Sequence, residues 1–406
     1  MKSSCSFILG VVALAASIAQ AALSPREIQE HQERRVKAGK RATEAVVGSA
    51  EGFAKGVTGG AAGATVYPTT NAELVSYLGS STAYTIVLQK TFDFTTADGE
   101  TTATGCAPWG TGSACQEAIN QNDWCTNYEP DAPDVTVEYY PSATLGIQIT
   151  SNKSLIGSGS SGIIKGIGVR IVSGASNVII QNIEITNLNP KYVWGGDAIT
   201  LNDCDLVWID HVTTSLIGRQ HLVLGTQADA RVTISYNNFD GTTSYSPYCD
   251  SYAYWGLFFD GSDDLVTLKG NYIHHFSGRS PKVEGNTLLH AVNNYWYDYP
   301  SYGHAFEITT GAYVLVEGSV FQNVPTVLDS GATGQYFTSP STTANAACTA
   351  YLGRACQVNG FGSSGTFSSS TTSFFSDFSG KNIASAETYA WVQEYVIADA
   401  GIGKID

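Results

Sequence analysis

The sequence of 406 residues has little positive charge, with 21 lysines and arginines against 36 aspartates and glutamates and a formal net charge of −15. Residues 1–41 hold seven basic and three acidic residues, so the remainder has 14 basic and 33 acidic residues, a net charge of −19. A surface with so few cations is a poor partner for nucleic acid or for an anionic membrane. We therefore predict that the protein binds neither.

Long apolar runs are also scarce, and the one clear case lies at the N-terminus. It has the length of a signal peptide and ends in the small-x-small sequence Ala-Gln-Ala at 19–21, which is typical of a cleavage site. The run is too short to favour a membrane span. We expect residues 1–21 to be a signal peptide and the protein to be secreted and extracellular. The charged segment 22–41 ends in a dibasic pair, which suits either a pro-segment or a charged surface helix.

Secretion has two covalent consequences for this sequence. Eight cysteines become seven when Cys5 leaves with the signal peptide, so disulfides are permitted and one thiol stays unpaired. Closely spaced cysteine and histidine motifs of zinc or redox sites are absent from the sequence. Asn152 begins the one clear sequon and is predicted to be glycosylated.

Amphipathic helical patterns are missing from the middle of the chain, which instead repeats loosely between residues 58 and 345. Each repeat has a short β-branched strand, a polar or small break that is frequently Asn, and a second short strand. The segments are NVIIQNIEIT (177–186), DLVWIDHVTT (205–214), RVTISYNNFDG (231–241), LVTLKGNYIHH (265–275), LLHAVNNYWYD (288–298) and YVLVEGSVFQN (313–323). This period predicts a solenoid of β-rungs, and Asn suits the turns because it tolerates the left-handed conformation.

A large antiparallel sandwich would also contain many short strands. Its hairpins would need frequent Asn-Gly or Asp-Gly turns, and Asp240-Gly241 and Asp260-Gly261 are nearly the whole supply. We therefore predict an all-β fold, a right-handed parallel β-helix, in a single domain of residues 42–406. A helix over 69–79, with Thr70 and Glu73 in capping-box spacing, and a helix within 385–401 are expected to cap the solenoid.

Four ionisable residues lie among the strands: Asp197, Arg219, Arg279 and Lys282. Successive rungs are about 5 Å apart, so side chains from different rungs can converge on one stripe. Salt bridges between Asp197 and either arginine would be the purely structural interpretation. Pro281 favours an extended, polyproline-like path of about three residues per turn, which would place Arg279 and Lys282 on the same side. A solvated surface turn is the alternative.

Several long segments resemble the fungal-type pectin lyases of the pectate lyase superfamily (polysaccharide lyase family 1), from about residue 48 to the C-terminus. They are VWGGDAIT, VWIDHVTTSLIGRQHLVLG, GRSPKV and HAVNNYWYDY. The resemblance implies a right-handed parallel β-helix, in agreement with the repeat. It also implies eliminative cleavage of methyl-esterified pectin, without cofactor or metal, by a monomer.

The resemblance assigns the proposed base to Arg279 and places Asp197, Arg219 and Lys282 in the same site. Calcium-dependent pectate lyases carry acidic ligands around the position of Arg219, and this chain has arginine there. Elimination removes the C5 proton of the uronate, and fixed cations would stabilise the developing enolate. Free arginine is protonated at ordinary pH, so a base role requires desolvation and neighbouring cations, which Lys282 and Arg219 are expected to supply.

Aromatic residues and disulfides complete the implied site. By the resemblance, the substrate cleft is lined by Trp109, Trp124, Tyr128, Trp194 and Trp255. A neutral esterified sugar chain can stack on such rings. The implied disulfides are Cys106–Cys125, Cys115–Cys249 and Cys348–Cys356, with Cys204 as the free thiol.

Three other functions fit parts of the sequence. A calcium-dependent pectate lyase would act on de-esterified polygalacturonate and lose activity with chelator. A glycosidase would need a carboxylate pair, for which Asp197, Asp203 and Asp205 are candidates. A carbohydrate-binding solenoid would need the aromatic residues without the two cations of the proline segment. The histidines, of which His221 lies nearest to Arg219, are assigned structural roles.

Overall fold

The computed structural model describes residues 45–405, so the predicted signal peptide (1–21) and pro-segment (22–41) lie outside the described residues. The helices are α1 (Asn71–Gly79), α2 (Trp124–Tyr128), α3 (Thr342–Asn345), α4 (Thr349–Leu352) and α5 (Val392–Asp399). In chain order the strands are β1 (Ala64–Val66), β2 (Tyr84–Leu88), β3 (Thr91–Asp93), β4 (Thr101–Cys106), β5 (Glu117–Ile119), β6 (Asp134–Tyr139), β7 (Ile147–Gln148), β8 (Lys153–Gly157), β9 (Ile163–Lys165), β10 (Val169–Gln181), β11 (Glu184–Leu188), β12 (Tyr192–Val193), β13 (Ile199–Asp210), β14 (Thr213–Ile217), β15 (Leu222–Leu224), β16 (Val232–Ser235), β17 (Asn238–Asp240), β18 (Leu257–Phe259), β19 (Asp264–Lys269), β20 (Tyr272–His274), β21 (Lys282–Val283), β22 (Thr287–Val292), β23 (Tyr295–Tyr297), β24 (Glu307–Ile308), β25 (Tyr313–Glu317), β26 (Val320–Gln322), β27 (Gln335–Phe337) and β28 (Gly360–Gly362). In this described part, none of the helices is long and apolar enough to cross a bilayer.

The strands stack in parallel into three columns. Column one contains β1, β2, β8, the C-terminal halves of β10 and β13, β16, β19, β22, β25 and β27. Column two contains β3, β9, β11, β14, β17, β20, β23, β26 and β28. Column three contains β7, the N-terminal halves of β10 and β13, β15, β18, β21 and β24. A separate small sheet pairs β4 with β5 and β6 in antiparallel, and β5 with β12 in parallel.

All the pairings within the three columns are parallel, so the predicted solenoid is confirmed and the antiparallel sandwich is wrong. Crossovers between parallel strands are right-handed, and the fold is a right-handed parallel β-helix. Its core consists of inward-facing apolar side chains that stack in register from rung to rung. One such row in column one contains Ile180, Ile209, Ile234, Leu268, Ala291 and Val316, all fully buried.

Asparagines occupy the turn between columns one and two in two different ways. The first residue of this turn has a left-handed conformation. On successive rungs this position holds Asn182, His211, Tyr236, Gly270, Asn293 and Gly318. The following position holds Asn237, Asn271 and Asn294, which are fully buried. The side-chain amide of Asn237 donates to Oδ1 of Asn271 at 2.8 Å, and that of Asn271 donates to Oδ1 of Asn294 at 2.9 Å. The expected left-handed role is therefore right for some asparagines, and the others form a hydrogen-bonded ladder instead.

The helix predicted near the N-terminal end of the solenoid is present as α1. The hydroxyl of Thr70 accepts the backbone N–H of Glu73 at 3.2 Å, and the Glu73 carboxylate accepts the N–H of Thr69 at 2.7 Å. The carboxylate thus reaches one residue beyond a standard capping box. Leu74 and Leu78 are fully buried and join the main core, so the helix covers the first rungs.

The C-terminal helix is shorter than the predicted segment 385–401, and it does not cap the end of the solenoid as expected. Helix α5 packs Val392 and Val396 against side chains of β23 and β26, on the outside of column two. The last rungs of the core are covered by the C-terminal loop, where Phe367 is buried in the main core. The loop closes the end of the solenoid and the helix covers its flank.

The described cysteines form the three disulfides implied by the resemblance, Cys106–Cys125, Cys115–Cys249 and Cys348–Cys356. Cys204 is buried and free. Asn152 is exposed and its Oδ1 accepts a hydrogen bond from the side chain of Asn177 at 2.8 Å. Its glycosylation stays a prediction.

Candidate active site

The four ionisable residues singled out in the sequence lie along column three. Asp197 precedes β13, Arg219 precedes β15, Arg279 precedes β21, and Lys282 begins β21. Backbone hydrogen bonds join these segments in that order, with the segment of Trp255 between those of Arg219 and Arg279. The two arginines are therefore two strand spacings apart, about 10 Å along the solenoid, on one side of the molecule.

Arg219 and Asp197 form a bidentate ion pair on adjacent rungs. Nε and Nη2 of Arg219 lie 2.8 Å from the two carboxylate oxygens of Asp197, which also accepts the N–H of Gln220 at 2.9 Å. The guanidinium lies over the ring of Trp194, 4.4 Å from its centroid. The structural interpretation of Asp197 is therefore right for Arg219, and the pair occupies both oxygens that a calcium ion would need.

Arg279 lies among three aromatic rings. Its Cζ is 5.0 Å from the centroid of Trp255, 5.4 Å from that of Phe258 and 5.6 Å from that of Tyr254. Its Nε is buried and has no hydrogen-bond partner, and the nearest carboxylate, Glu307, is 3.9 Å away. The side chain of Arg279 as a whole is 24% exposed, so a bound molecule can reach it although Nε itself is buried.

The backbone around Pro281 does not follow the predicted polyproline-like path. Arg279 has a φ of 42°, in the left-handed region, and the Ser280–Pro281 peptide bond is cis. The expected shared side of Arg279 and Lys282 nevertheless occurs, because the ammonium of Lys282 also lies over Phe258, 5.1 Å from the centroid. The conclusion from the sequence was right, although the local geometry behind it was wrong.

Each cation of the site faces a carboxylate of its own. Arg219 pairs with Asp197 at 2.8 Å, Lys282 with Glu284 at 3.0 Å, and Arg279 lies 3.9 Å from Glu307. The expected neighbouring cations, Lys282 and Arg219, are therefore each in an ion pair with a carboxylate.

Glu307 is a residue of the site that the sequence analysis missed. Its Oε1 accepts the hydroxyl of Tyr254 at 3.0 Å and is 2.8 Å from Nε2 of His304. Burial alone would raise the pKa of Glu307, but the hydrogen bond from His304 and the charge of Arg279 hold that pKa below its ordinary value. Burial, together with the negative charge of Glu307, raises the pKa of Tyr254. Glu307 is therefore an anion that is held by the hydroxyl of Tyr254, the imidazole of His304 and the charge of Arg279.

The pairing of neighbouring strands places Glu307 in the site, and the sequence does not show this pairing. Phe258, Lys282 and Glu307 occupy the same position on β18, β21 and β24. These strands are only two or three residues long, too short for an alternating pattern to appear in the sequence.

The five aromatic residues assigned to the cleft form one continuous array. Ring centroids are 6.3 Å apart between Tyr128 and Trp124, 6.4 Å between Trp124 and Trp109, 6.0 Å between Trp124 and Trp194, and 6.0 Å between Trp109 and Trp255. Tyr128 is 71% exposed and the tryptophans are partly buried. Such half-exposed rings can stack on a sugar chain.

The array continues past Arg279 through tyrosines that the sequence analysis did not select. Tyr254 contacts Trp255 with centroids 4.9 Å apart, Tyr248 lies 6.3 Å from Tyr254, and Tyr302 lies 4.8 Å from Tyr248. Tyr248 and Tyr302 are about half exposed. Aromatic surface therefore extends on both sides of Arg279.

Covalent and hydrogen-bonded links hold the aromatic excursion against column three. The Cys115–Cys249 disulfide joins it to the loop that carries Trp255. The buried Gln116 accepts the indole N–H of Trp255 at 2.9 Å and donates to the carbonyl of Gly218 at 2.7 Å. The ring next to Arg279 and the backbone next to Arg219 are therefore fixed to the same buried amide.

The histidine and glycosidase interpretations are not supported by the geometry. His221 is buried with Nδ1 2.8 Å from the hydroxyl of Thr214, and burial lowers its pKa to about 3, so it is a neutral structural residue. Asp197 and Asp203 are separated by six residues of extended chain, roughly 20 Å, which exceeds the spacing of glycosidase carboxylates. Asp205 is paired with Arg231 on the surface.

The protein is a parallel β-helix in which an arginine lies among aromatic rings on one side of the solenoid. Residues 141–405 match the family model described as pectate lyase. The chain is 71% identical over 360 residues to "Probable pectin lyase A" of Neosartorya fischeri, covering 89% of this chain and 95% of that protein. It is 66% identical over 368 residues to "Pectin lyase A" of Aspergillus niger, covering 91% and 96%. The chain belongs to the pectate lyase family.

Solved structures of low sequence identity have the same fold. The pectate lyase Bsp165PelA of Bacillus sp. N165, in complex with trigalacturonate, aligns with a TM-score of 0.55 and 19% identity, covering 88% of this chain and 100% of that chain. A pectate lyase bound to hexasaccharide aligns with a TM-score of 0.56 and 18% identity, covering 88% and 98%.

Proposed function

We propose that this protein is a secreted pectin lyase that cleaves methyl-esterified (1→4)-α-D-galacturonan by β-elimination and releases 4,5-unsaturated oligosaccharides. The observation that carries the proposal is the position of Arg279, whose partly exposed side chain lies midway along a continuous aromatic surface. The names of the curated relatives, pectin lyases A and B, support the same activity. An uncharged, esterified sugar chain suits aromatic stacking and does not repel an acidic protein.

In the proposed reaction, a nitrogen of neutral Arg279 accepts the C5 proton of a methyl galacturonate residue. The electrons of the C5–H bond form the C4–C5 double bond, and the C4–O4 bond breaks. The leaving O4 oxygen then takes up a proton. Negative charge develops on the ester carbonyl oxygen, where Lys282 and Arg219, lying along the same column, would stabilise it. Asp197 acts by holding Arg219 in place.

The proposal assigns Glu307 the role of a positioning residue for Arg279. Glu307→Gln keeps the shape of the side chain and removes its negative charge. Loss of a nearby anion makes proton release from the guanidinium easier, so we expect the pH–rate profile of kcat to move to lower pH. We expect kcat at its best pH to fall about 10-fold because Arg279 is held less firmly, with KM nearly unchanged. Steady-state kinetics at several pH values measure both effects, and an unshifted profile would contradict the assignment.

The reaction class and the metal requirement are tested together by one assay. We expect ultraviolet-absorbing, unsaturated products from highly esterified pectin, much less product from polygalacturonate, and no loss of rate after EDTA treatment. The reason is that Asp197 is committed to Arg219 and the charge stabilisation comes from side-chain cations.

The other outcomes of that assay identify the alternatives. A requirement for added calcium would indicate a calcium-dependent pectate lyase. Reducing sugars without unsaturation would indicate a glycosidase, and binding without turnover would indicate a carbohydrate-binding solenoid. The proposal has three further parts: secretion after removal of residues 1–21, glycosylation at Asn152 and a monomeric state. Mass spectrometry of the secreted protein would test the first two, and light scattering would test the third.

A further inference from the structure

A second cluster of ionisable side chains lies on column two, separate from the cleft on column three. Asp240 ends β17, His274 ends β20 one rung further along, and His275 follows directly. One potential ligand atom from each of these three residues lies within 4.8 Å of the others. His274 is nearly buried, whereas the side chains of Asp240 and His275 are each 32% exposed.

An oxygen acceptor lies on the far side of each imidazole, in a hydrogen bond to His274 and at ion-pair distance from His275. Nε2 of His274 is 2.9 Å from Oδ1 of Asn238, and Nε2 of His275 is 3.2 Å from Oδ2 of Asp298. Both partners are oxygen acceptors, so each Nε2 carries the hydrogen in the neutral ring and each Nδ1 keeps its lone pair. This arrangement, in which an outer oxygen orients a histidine, is typical of metal-ligating imidazoles.

The two Nδ1 atoms face each other. Nδ1 of His274 is 2.7 Å from Nδ1 of His275, and it is 3.7 Å from Oδ1 of Asp240. Two lone pairs at this distance repel unless a proton or a cation lies with them, and the carboxylate of Asp240 adds negative charge to the same place. The rings themselves are held by stacking, His274 on Tyr272 at 4.0 Å and His275 on Tyr252 at 5.8 Å.

We propose that Asp240, His274 and His275 bind a divalent transition-metal ion of the zinc class, with solvent as the fourth ligand. Two imidazoles and one carboxylate suit such an ion, whereas calcium and magnesium prefer ligand sets made of oxygen. Zinc–nitrogen bonds of about 2.0–2.1 Å in a tetrahedral site require the two Nδ1 atoms to lie about 3.3 Å apart. The partly exposed ring of His275 can move by the few tenths of an ångström that this needs.

The site would be structural. It joins two rungs of column two to the loop of Tyr252, whose hydroxyl donates to Asp298 at 3.2 Å. None of its three ligands contacts Arg279 or Lys282 in the described structure. Bound metal should therefore stabilise the fold without taking part in the elimination, and the inference stands or falls independently of the proposed function.

The test is calorimetric titration of zinc chloride into the tag-free full chain after chelator treatment, together with thermal unfolding. We expect saturable 1:1 binding and a rise in Tm with zinc, and no such effect with calcium. His275→Asn should abolish binding, and it is chosen because asparagine tolerates the φ of 59° at this position. Asp298→Asn should weaken binding about 10- to 100-fold, the usual effect of losing an outer partner of a ligating histidine.

The matched control is His211→Asn. His211 also has a left-handed φ of 52° and lies 2.7 Å from a carboxylate, that of Asp210, so this variant tests the loss of a histidine–carboxylate pair outside the cluster. Zinc binding that is retained in His211→Asn and lost in folded His275→Asn supports the site. Absence of saturable binding to the native chain, or equal binding to His275→Asn, would overturn it and leave the two imidazoles sharing a proton. Circular dichroism establishes that each variant is folded.

Discussion

Replacing Arg279 with lysine is expected to lower kcat on esterified pectin by at least about 100-fold, the scale of a lost general base. The two side chains are not interchangeable here, because the planar guanidinium stacks among Trp255, Tyr254 and Phe258 and an ammonium group does not. The free energy of unfolding should barely change, since the charge is kept and no core volume is lost. Kinetics and denaturant unfolding of the purified variant measure the two quantities separately.

Two further variants make this result specific. Lys282→Ala should reduce kcat to a similar extent, because it removes a charge that would stabilise the enolate. Arg231→Lys is the control, since Arg231 forms a surface ion pair with Asp205 outside the cleft and its replacement should leave kcat unchanged. Near-normal turnover by Arg279→Lys would return the proline segment to its interpretation as an ordinary turn.

The contribution of one buried pair of carboxyl groups, Asp229 and Asp264, to the free energy of unfolding is expected to fall as the pH rises from about 4 to about 8. Two carboxyl groups are buried next to each other in the solenoid, and the N–H of Asp229 donates to Oδ1 of Asp264 at 2.9 Å. Burial and the neighbouring Asp264 raise the pKa of Asp229 to about 8, and burial raises the pKa of Asp264 to about 6. Asp229 has one oxygen without a hydrogen-bond partner, and the other accepts the free thiol of Cys204 at 3.1 Å.

The sign follows from comparing the folded and unfolded chains. In the unfolded chain an aspartate ionises near pH 3.9, whereas folded Asp229 stays protonated to about pH 8. The folded state therefore binds an extra proton between these values, and the stability that this proton contributes is fully present below about pH 4 and is lost as the pH rises through the folded pKa. Over about four pH units this amounts to at most roughly 5 kcal/mol for Asp229.

Denaturant unfolding of the native chain and of Asp229→Asn across this pH range tests the prediction. The amide keeps the size of the protonated carboxyl and cannot ionise, so the variant should lose the part of the pH dependence that Asp229 contributes and be the more stable protein at pH 8. Asp205→Asn, at a partly exposed surface carboxylate, is the control and should keep the native slope. Parallel stability curves for the native chain and Asp229→Asn would contradict the buried-proton explanation.

The sequence by itself determined the architecture and most of the cleft. Strand–Asn–strand repeats specify a β-helix because each rung presents the same alternation to the same core, and Thr70 with Glu73 specifies the first helix through local hydrogen bonds. Long segments such as VWGGDAIT carry the resemblance that selected the arginines, and all five predicted aromatic residues lie in one array.

Only the tertiary structure decided which charges meet. Glu307 faces Arg279, Asp229 faces Asp264, and His275 faces Asp240 because the register of the columns places residues 28 to 35 positions apart on neighbouring rungs. The local sequence also predicted the wrong backbone path for the proline segment, where Arg279 has a left-handed φ of 42°. The physical reason is that side-chain electrostatics depend on distances of a few ångströms between rungs, and the length of each turn, which sets those distances, varies along this chain without a regular period.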